Sequence, residues 1–296
     1  MNLRQIGEDR LLQRLLPSLA THKNAFIAAG DDCAAVRSPG KNELLLLKTD
    51  CVVEAIHFEK NTDPMAIGWK AMMRPLSDFA AMSGVPQFAL VTIILPAARS
   101  ANWVRRIYRG LNRAAKKYRV AIVGGETSNS KLVAAISVSV AGFVEKNRLV
   151  SRTGGKAGDD LFVTGRLGGS GRGKHLRFLP RIEESRWLSR NFPIHAMIDL
   201  SDGLGADLPR LARASGLDFE IDESGLPLTA GAKIRNAISD GEDFELLFAL
   251  SSRYRRRLQK KWRAKFPKLS LTRIGSLLPR STIRNPQLPS GYVHFK

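Results

Sequence analysis

The chain has 296 residues, 44% of them hydrophobic, and Lys+Arg outnumber Asp+Glu 47 to 27 for a formal net charge of +20. This is length enough for two ordinary domains with filled cores. The longest apolar stretches, Phe88–Leu95 and the Ser-interrupted Leu132–Val144, fall short of the roughly 18 to 20 residues that span a bilayer, and the acidic start around Glu8 and Asp9 argues against a secretory signal. With Cys33 and Cys51 alone and no Cys/His metal spacing, a disulfide framework and a zinc site are excluded, and a reducing cytoplasm is expected.

Taken in order, Glu43–Thr49 is a short apolar run predicted as a strand that delivers Asp50. Asp63-Pro64 pairs an N-cap residue with Pro at the first helical position, so a helix should run from there to about Gly84 and carry Asp78 near its C-terminal half. Gln87–Leu95 reads as a strand closed by Pro96, Asn102–Lys117 as an amphipathic helix, and Arg119–Val123 as a strand entering Gly124-Gly125-Glu126. Lys131–Val144 is a long strand of small alternating residues. A turn-rich, charged break falls at Arg152–Asp160. Beyond it come the strand Leu161–Thr164, a Gly-rich loop, a helix to about Arg190, the strand Ala196–Asp199 and a helix from Gly203 to Ser215. The strands Asp218–Ile221, Phe244–Leu250 and Ser270–Ile274 complete the series, with a basic helix between the last two. These elements predict two α/β (α+β) domains, 1–150 and 151–296.

Five acidic motifs stand between the apolar segments, each beside Gly, Ser or Thr: Gly30-Asp31-Asp32, Thr49-Asp50, Ser77-Asp78, Gly125-Glu126 and Asp199-Leu200-Ser201-Asp202. One such pair usually makes only a turn or a helix cap. Five in a chain this basic point instead to carboxylates gathered around Mg²⁺ for phosphoryl transfer, with small neighbours that let a ligand approach.

Two other readings compete. Gly168-Gly-Ser-Gly-Arg-Gly173-Lys174-His175 follows a predicted strand and is one residue short of a phosphate-binding loop. The hydroxyl that would hold Mg²⁺ is replaced by His175, so a plain glycine loop is favoured. The Arg253–Lys268 block is rich in Lys and Arg without an acid, which suggests nucleic acid, yet Tyr254, Leu258, Trp262 and Phe266 recur every four residues. That stripe predicts a peripheral helix with its aromatics buried and its bases in solvent, and no specific nucleic-acid partner.

Taken together, Gly30-Asp-Asp-Cys-Ala-Ala-Val, Thr49-Asp50 with His57-Phe58, Gly68-Trp-Lys-Ala and Leu76-Ser-Asp-Phe-Ala-Ala-Met carry a resemblance. It continues through Val123-Gly-Gly-Glu-Thr, Ser151-Arg152-Thr-Gly-Gly-Lys-Ala-Gly-Asp, Ile198-Asp-Leu-Ser-Asp-Gly-Leu and Gly241-Glu-Asp-Phe-Glu-Leu. In this order the motifs resemble the thiamine-monophosphate kinase family, of the aminoimidazole ribonucleotide synthetase-like superfamily, from about residue 7 to 295. The resemblance implies a two-domain fold, with an N-terminal domain that dimerises through its sheet and a C-terminal α/β domain. It implies a cytoplasmic, homodimeric enzyme, off the membrane, that transfers the γ-phosphoryl of ATP to thiamine monophosphate and gives thiamine diphosphate and ADP. Asp32, Thr49, Asp50, Asp78, Glu126, Asp199 and Asp202 are then the implied Mg²⁺ ligands. Tyr108, Gly125, Arg152 and Ser201 are implied to meet ATP, and His57, Glu242 and Tyr292 to meet thiamine monophosphate.

The chain departs from the family pattern in four ways. Lys48 stands where Ser or Thr is usual, Glu126 where Asp or Asn is, and Asp240 where Gly is, and the segment from Gly173 to Pro180-Arg181 is short. A catalytically weakened relative, or an enzyme acting on another phosphorylated molecule, is the alternative these departures raise. If Glu43–Thr49 is a strand, Lys48 and Thr49 face opposite ways. The expectation is that Thr49 faces the metals and Lys48 points away into solvent or toward a dimer partner; the alternative is that the strand ends before Lys48, whose ammonium then enters the site and occupies one metal position.

Overall fold

The computed structural model describes residues 2–38, 40, 42–280 and 288–292. Two short helices, α1 (Leu3–Ile6) and α2 (Glu8–Leu15), precede β1 (Ala25–Ile27), β2 (Ala34–Arg37) and β3 (Glu43–Val53). Next come α3 (Pro64–Ala81), β4 (Val85–Pro96), α4 (Ala101–Tyr118), β5 (Ala121–Ser130) and β6 (Ala135–Glu145). The second series is β7 (Asp159–Thr164), α5 (Ile182–Asn191), β8 (Ala196–Asp199), α6 (Leu204–Ala214), β9 (Asp218–Ile221), α7 (Ile234–Ser239), β10 (Leu246–Ser251), α8 (Arg255–Lys265) and β11 (Leu271–Leu278). Among the described residues no helix is long and apolar enough to cross a membrane.

Strands and helices alternate from β7 onward, whereas β1–β3 and β5–β7 each run on without an intervening α-helix, and the pairing is mostly antiparallel. The first sheet has the order β1-β2-β3-β6-β4-β5, with β4 and β5 its one parallel pair. The second, β8-β10-β7-β11-β9, is antiparallel throughout. Helix α3 lies between the two. Asp63 caps it by accepting from the Met65 amide, and Pro64 follows at the first position, an arrangement worth about 1 kcal/mol. Met72, Met73, Leu76 and Phe79 of α3 enter the core of the first sheet, and Ala80 and Ala81 join the core that Phe162, Leu246 and Phe248 build under the second. A helix wanted by two cores has to be apolar nearly all round, which makes its three buried or half-buried ionisable residues, Lys70, Arg74 and Asp78, conspicuous. They are spaced four apart and therefore share one stripe.

Strand β3 meets that stripe. Leu44, Leu46 and Val52 are fully buried on its inner face, with Lys48 and Asp50 in the same register. Leu45, Leu47, Thr49 and Cys51 point to the outer face. Alternation therefore holds, but with the opposite phase to that expected: Lys48 faces α3 and Thr49 faces away. The basic helix α8 buries Leu258 and Trp262 completely and packs Tyr254 and Phe266 against the same core. Its apolar stripe is therefore spent on packing. Residues 293–295, the end of the span over which the family resemblance runs, lie outside the described residues.

Candidate active site

Ion pairs between β3 and α3 set up the site. Successive inner-face residues of β3 are about 6.6 Å apart and helix residues four apart about 6 Å, so the two rows match. Lys48 Nζ lies 2.7 Å from Asp78 Oδ1, and Arg74 Nε donates to Asp50 Oδ2 at 3.1 Å. Farther along α3, Arg74 reaches Glu242 Oε1 at 3.3 Å and Lys70 Nζ reaches the same oxygen at 2.6 Å.

At one end of this stripe three buried carboxylates converge. Asp32, Asp78 and Asp199 each place an oxygen within 4.8 Å of the other two. Asp32 comes from the β1–β2 loop, Asp78 from α3, and Asp199 from the last position of β8, so both sheets contribute. Ser77 Oγ donates to Asp199 Oδ2 at 2.6 Å. Arg152 donates through Nη2 to Asp32 Oδ1, and its backbone amide donates to Asp31 Oδ2 at 3.1 Å. Burial and the surrounding carboxylates push Asp78 and Asp199 well above the usual carboxylate range, against the pull of Lys48. Asp32 Oδ2 is buried without a hydrogen-bond partner. Hard oxygen donors, mutual repulsion and an unsatisfied buried carboxylate oxygen fit a hard divalent cation such as Mg²⁺.

At the other end the balance reverses. Glu242 is burdened by burial, but His175 and Lys70 more than offset it and hold the carboxylate down at about 2. Lys70, with its side chain fully buried, also donates to the His57 carbonyl at 2.6 Å and sits 2.6 Å from His175 Nδ1. Burial lowers it to about 8 against the attraction of Glu242. His57 Nδ1 accepts from the Val53 amide at 3.1 Å, which leaves the ring proton on Nε2. Burial, then the charges of Arg74 and Lys70, push this imidazole down to about 4, so it is neutral at pH 7. Around these groups is a cavity of about 440 Å³, the size of small-molecule sites, lined by His57, Arg74, His175, Ser201, Glu242 and Tyr292 among others. Glu242 is held there in the left-handed region (φ 54°) after Gly241 (φ 69°), a strained conformation of the kind that persists at functional sites.

The predicted residues are thus divided. Asp32, Asp78 and Asp199 meet, with Asp50 next to them on β3, and His57, Ser201, Glu242 and Tyr292 line one cavity. Thr49 is turned away, bonded to Ser139 Oγ at 3.0 Å on the outer face. Glu126 is exposed on the edge strand β5, its Oε1 accepting from the Thr127 amide. It aligns with Thr92, Ser137 and Cys51 across the sheet, so it shares the outer face with Thr49, about 14 Å from β3 at the usual strand spacing. Within one chain, neither side chain can join the inner cluster. Asp202 also lines the cavity, but its carboxylate is paired with Arg210. Tyr108 is half-buried on α4 against the first core. Gly125 has a packing reason of its own, because a Cβ there would lie 1.8 Å from the Val91 carbonyl oxygen.

Lys70, Arg74 and His175 join the site although none belongs to an acidic motif. The Lys70–Arg74–Asp78 spacing inside an apolar helix was the available signal for two of them, whereas His175 carried none. The glycine loop borders the cavity at Ser170, Gly171 and Gly173, but its lysine is already engaged. Lys174 Nζ is tied to Asp243 Oδ1 at 2.6 Å and to the Arg166 carbonyl. Only two short turns follow Gly169, with α5 beginning at Ile182.

Two sheets with a carboxylate cluster and an anion-ready cavity between them define the class. Residues 30–144 match the AIR synthase related protein N-terminal domain, and residues 132–254 the corresponding C-terminal domain. Among relatives, the thiamine-monophosphate kinase of Rhodopirellula baltica is 38% identical, covering 80% of this chain and 78% of its own. That of Aquifex aeolicus is 33% identical over 100% of both chains. The solved structure of AaThiL complexed with AMPPCP and TMP superposes with a TM-score of 0.85 at 31% identity, covering 99% of each chain. The chain belongs to the thiamine-monophosphate kinase family.

Proposed function

We propose that the protein transfers the γ-phosphoryl of ATP to thiamine monophosphate, giving thiamine diphosphate and ADP. The observation that carries this reading is the stripe on α3, which sets the Asp32–Asp78–Asp199 cluster and the cavity of His57, Glu242 and Tyr292 side by side. The acceptor is a phosphate monoester, already anionic at pH 7 because its second pKa is near 6. It needs no general base, and the neutral His57 is suited to hydrogen bonding. What opposes reaction is repulsion between the negatively charged phosphates of the two substrates.

Arg74, Lys70 and Arg152 lie along this path and remain cationic at neutral pH. They attract the phosphates and hold them for in-line approach. Mg²⁺ bound by Asp32, Asp78 and Asp199, with Asp50 nearby, would supply the remaining neutralisation of phosphate charge. Glu242, ionised and opposite His57, places a negative charge where a cationic thiazolium ring would sit, and the exposed Tyr292 adds a ring face to the same cavity. Ser201 lines the same cavity, and on this reading it meets the nucleotide together with Tyr108 and Gly125.

The same reading makes the protein a cytoplasmic homodimer. Leu45, Leu47, Phe88, Leu90 and Val123 are all 38–59% exposed on the outer face of the first sheet, an apolar patch that a second sheet would cover. Thr49 and Glu126 share that face, so any metal contact of theirs belongs to the space between two copies. Incubating the purified chain with ATP, Mg²⁺ and thiamine monophosphate should give thiamine diphosphate, and no product at saturating substrates would refute the assignment. Sedimentation should give a dimer that Leu90→Glu converts to a monomer.

A further inference from the structure

We infer that Lys48 is a built-in cation of the carboxylate cluster, doing with its ammonium what a divalent ion would otherwise do at Asp78. The inference rests on the metal-binding role proposed for Asp32, Asp78 and Asp199. Strand phase puts Lys48 on the inner face of β3, and its Nζ is 2.7 Å from Asp78 Oδ1. This ammonium is therefore inside the cluster. An ion at that same oxygen would stand within a few ångströms of a fixed positive charge, a repulsion that is severe in a partly buried site.

Charge balance points the same way. In the ionised form that binds a cation, four carboxylates, Asp31, Asp32, Asp78 and Asp199, face two fixed cations, Lys48 and Arg152. Asp50 is separately matched by Arg74. The two negative charges left over equal one divalent ion, and Asp32 Oδ2, buried and without a hydrogen-bond partner, is a carboxylate oxygen of the cluster still open to it. With a hydroxyl residue at position 48 the deficit would be three, calling for more than one ion. A lysine suits the part because its ammonium is a compact point charge, whereas the guanidinium of arginine is a planar fork.

Counting bound Mn²⁺ by electron paramagnetic resonance, on the full chain without nucleotide, tests this. Lys48→Ser should bind one more Mn²⁺ per chain than the parent, or bind at least tenfold more tightly. Lys48→Gln, closer in size, should do the same if the serine variant folds poorly. In EDTA the neutral variants should melt below the parent, because Asp78 has lost its partner, and Mn²⁺ should restore them more than it raises the parent. Adding Asp78→Asn to Lys48→Ser should abolish the gained ion. Equal Mn²⁺ number and affinity in parent and variants overturns the inference, as does the absence of Mn²⁺ binding in all of them. A parent that binds Mn²⁺ yet makes no thiamine diphosphate would sink the proposed function and leave the ion count standing.

Discussion

The two ends of the α3 stripe are built from the same kinds of side chain and behave oppositely. Around Asp78, carboxylates outnumber bases, and burial together with like charge pushes Asp78 and Asp199 up. Two turns earlier along the same helix, Lys70, Arg74 and His175 surround one carboxylate, and Glu242 is held at about 2 although it too is largely shielded from water. Burial raises a carboxylate in both places, so the local ratio of charges decides the outcome. The first end is an unfinished cation site and the second a finished ion-pair network facing a cavity. A kinase that brings two phosphate-bearing substrates together needs each of them.

The sharpest way to break this contrast is to remove a member of the acid-rich end. Asp78→Asn should lower turnover by about a thousandfold, about 4 kcal/mol of barrier, in a thiamine diphosphate assay. Activity within tenfold of the parent would end the role given to Asp78. Its unfolding midpoint in EDTA should move little, because Lys48 loses a partner while Asp32 and Asp199 lose a repelling neighbour. At the base-rich end, Glu242→Gln should raise KM for thiamine monophosphate by about ten- to a hundredfold, the scale of losing one charged contact, and leave Mn²⁺ binding unchanged. Altered Mn²⁺ binding would mean that the two ends are not separate.

The contrast also predicts opposite pH responses. Asp199 is raised in the folded protein, to about 7, so between the ordinary carboxylate range and neutrality the native state holds a proton that the unfolded state has lost. Its contribution to metal-free stability is present at low pH and fades as pH rises toward 7. Glu242 is depressed, so its contribution is present above about 4.5 and disappears as pH falls toward 2. Melting curves in EDTA should therefore show Asp199→Asn gaining on the parent as pH rises from 4 to 7. Glu242→Gln should lose most at pH 7 and converge with the parent near pH 2 to 3. The reverse pattern would invalidate the electrostatic assignment. The smallest effect is expected at the glycine loop: Lys174→Ala should change the affinity for an ATP analogue with Mg²⁺ by less than about twofold, against a loss of tenfold or more for Arg152→Ala, the scale of one charged hydrogen bond. Selective loss in the lysine variant would restore the phosphate-loop reading.

Much of this molecule was legible in local sequence. The Asp63-Pro64 start of α3, the limits of β8 at Ala196 and Asp199, and the buried stripe of α8 follow from capping, from short apolar runs and from helical spacing, all of which act over a few residues. The acidic motifs announced carboxylates around a cation for the same reason, since chemistry of that kind needs those residue types beside small neighbours. What local sequence could not supply was the facing and the neighbours. Strand alternation dictates that Lys48 and Thr49 oppose each other, but Leu44 to Leu47 are all leucine, so the run has no phase. Only the packing of α3 on one face of the sheet turned Lys48 inward and Thr49 outward. Likewise, Glu126 reads as one more ligand until strand order puts β5 at the sheet edge, with β4 and β6 between it and β3. His175 gains its place beside Glu242 only when the loop after β7 folds over α3. Distances between segments far apart in sequence are set by tertiary packing, and the division of the acids into an inner cluster and an outer face was decided there.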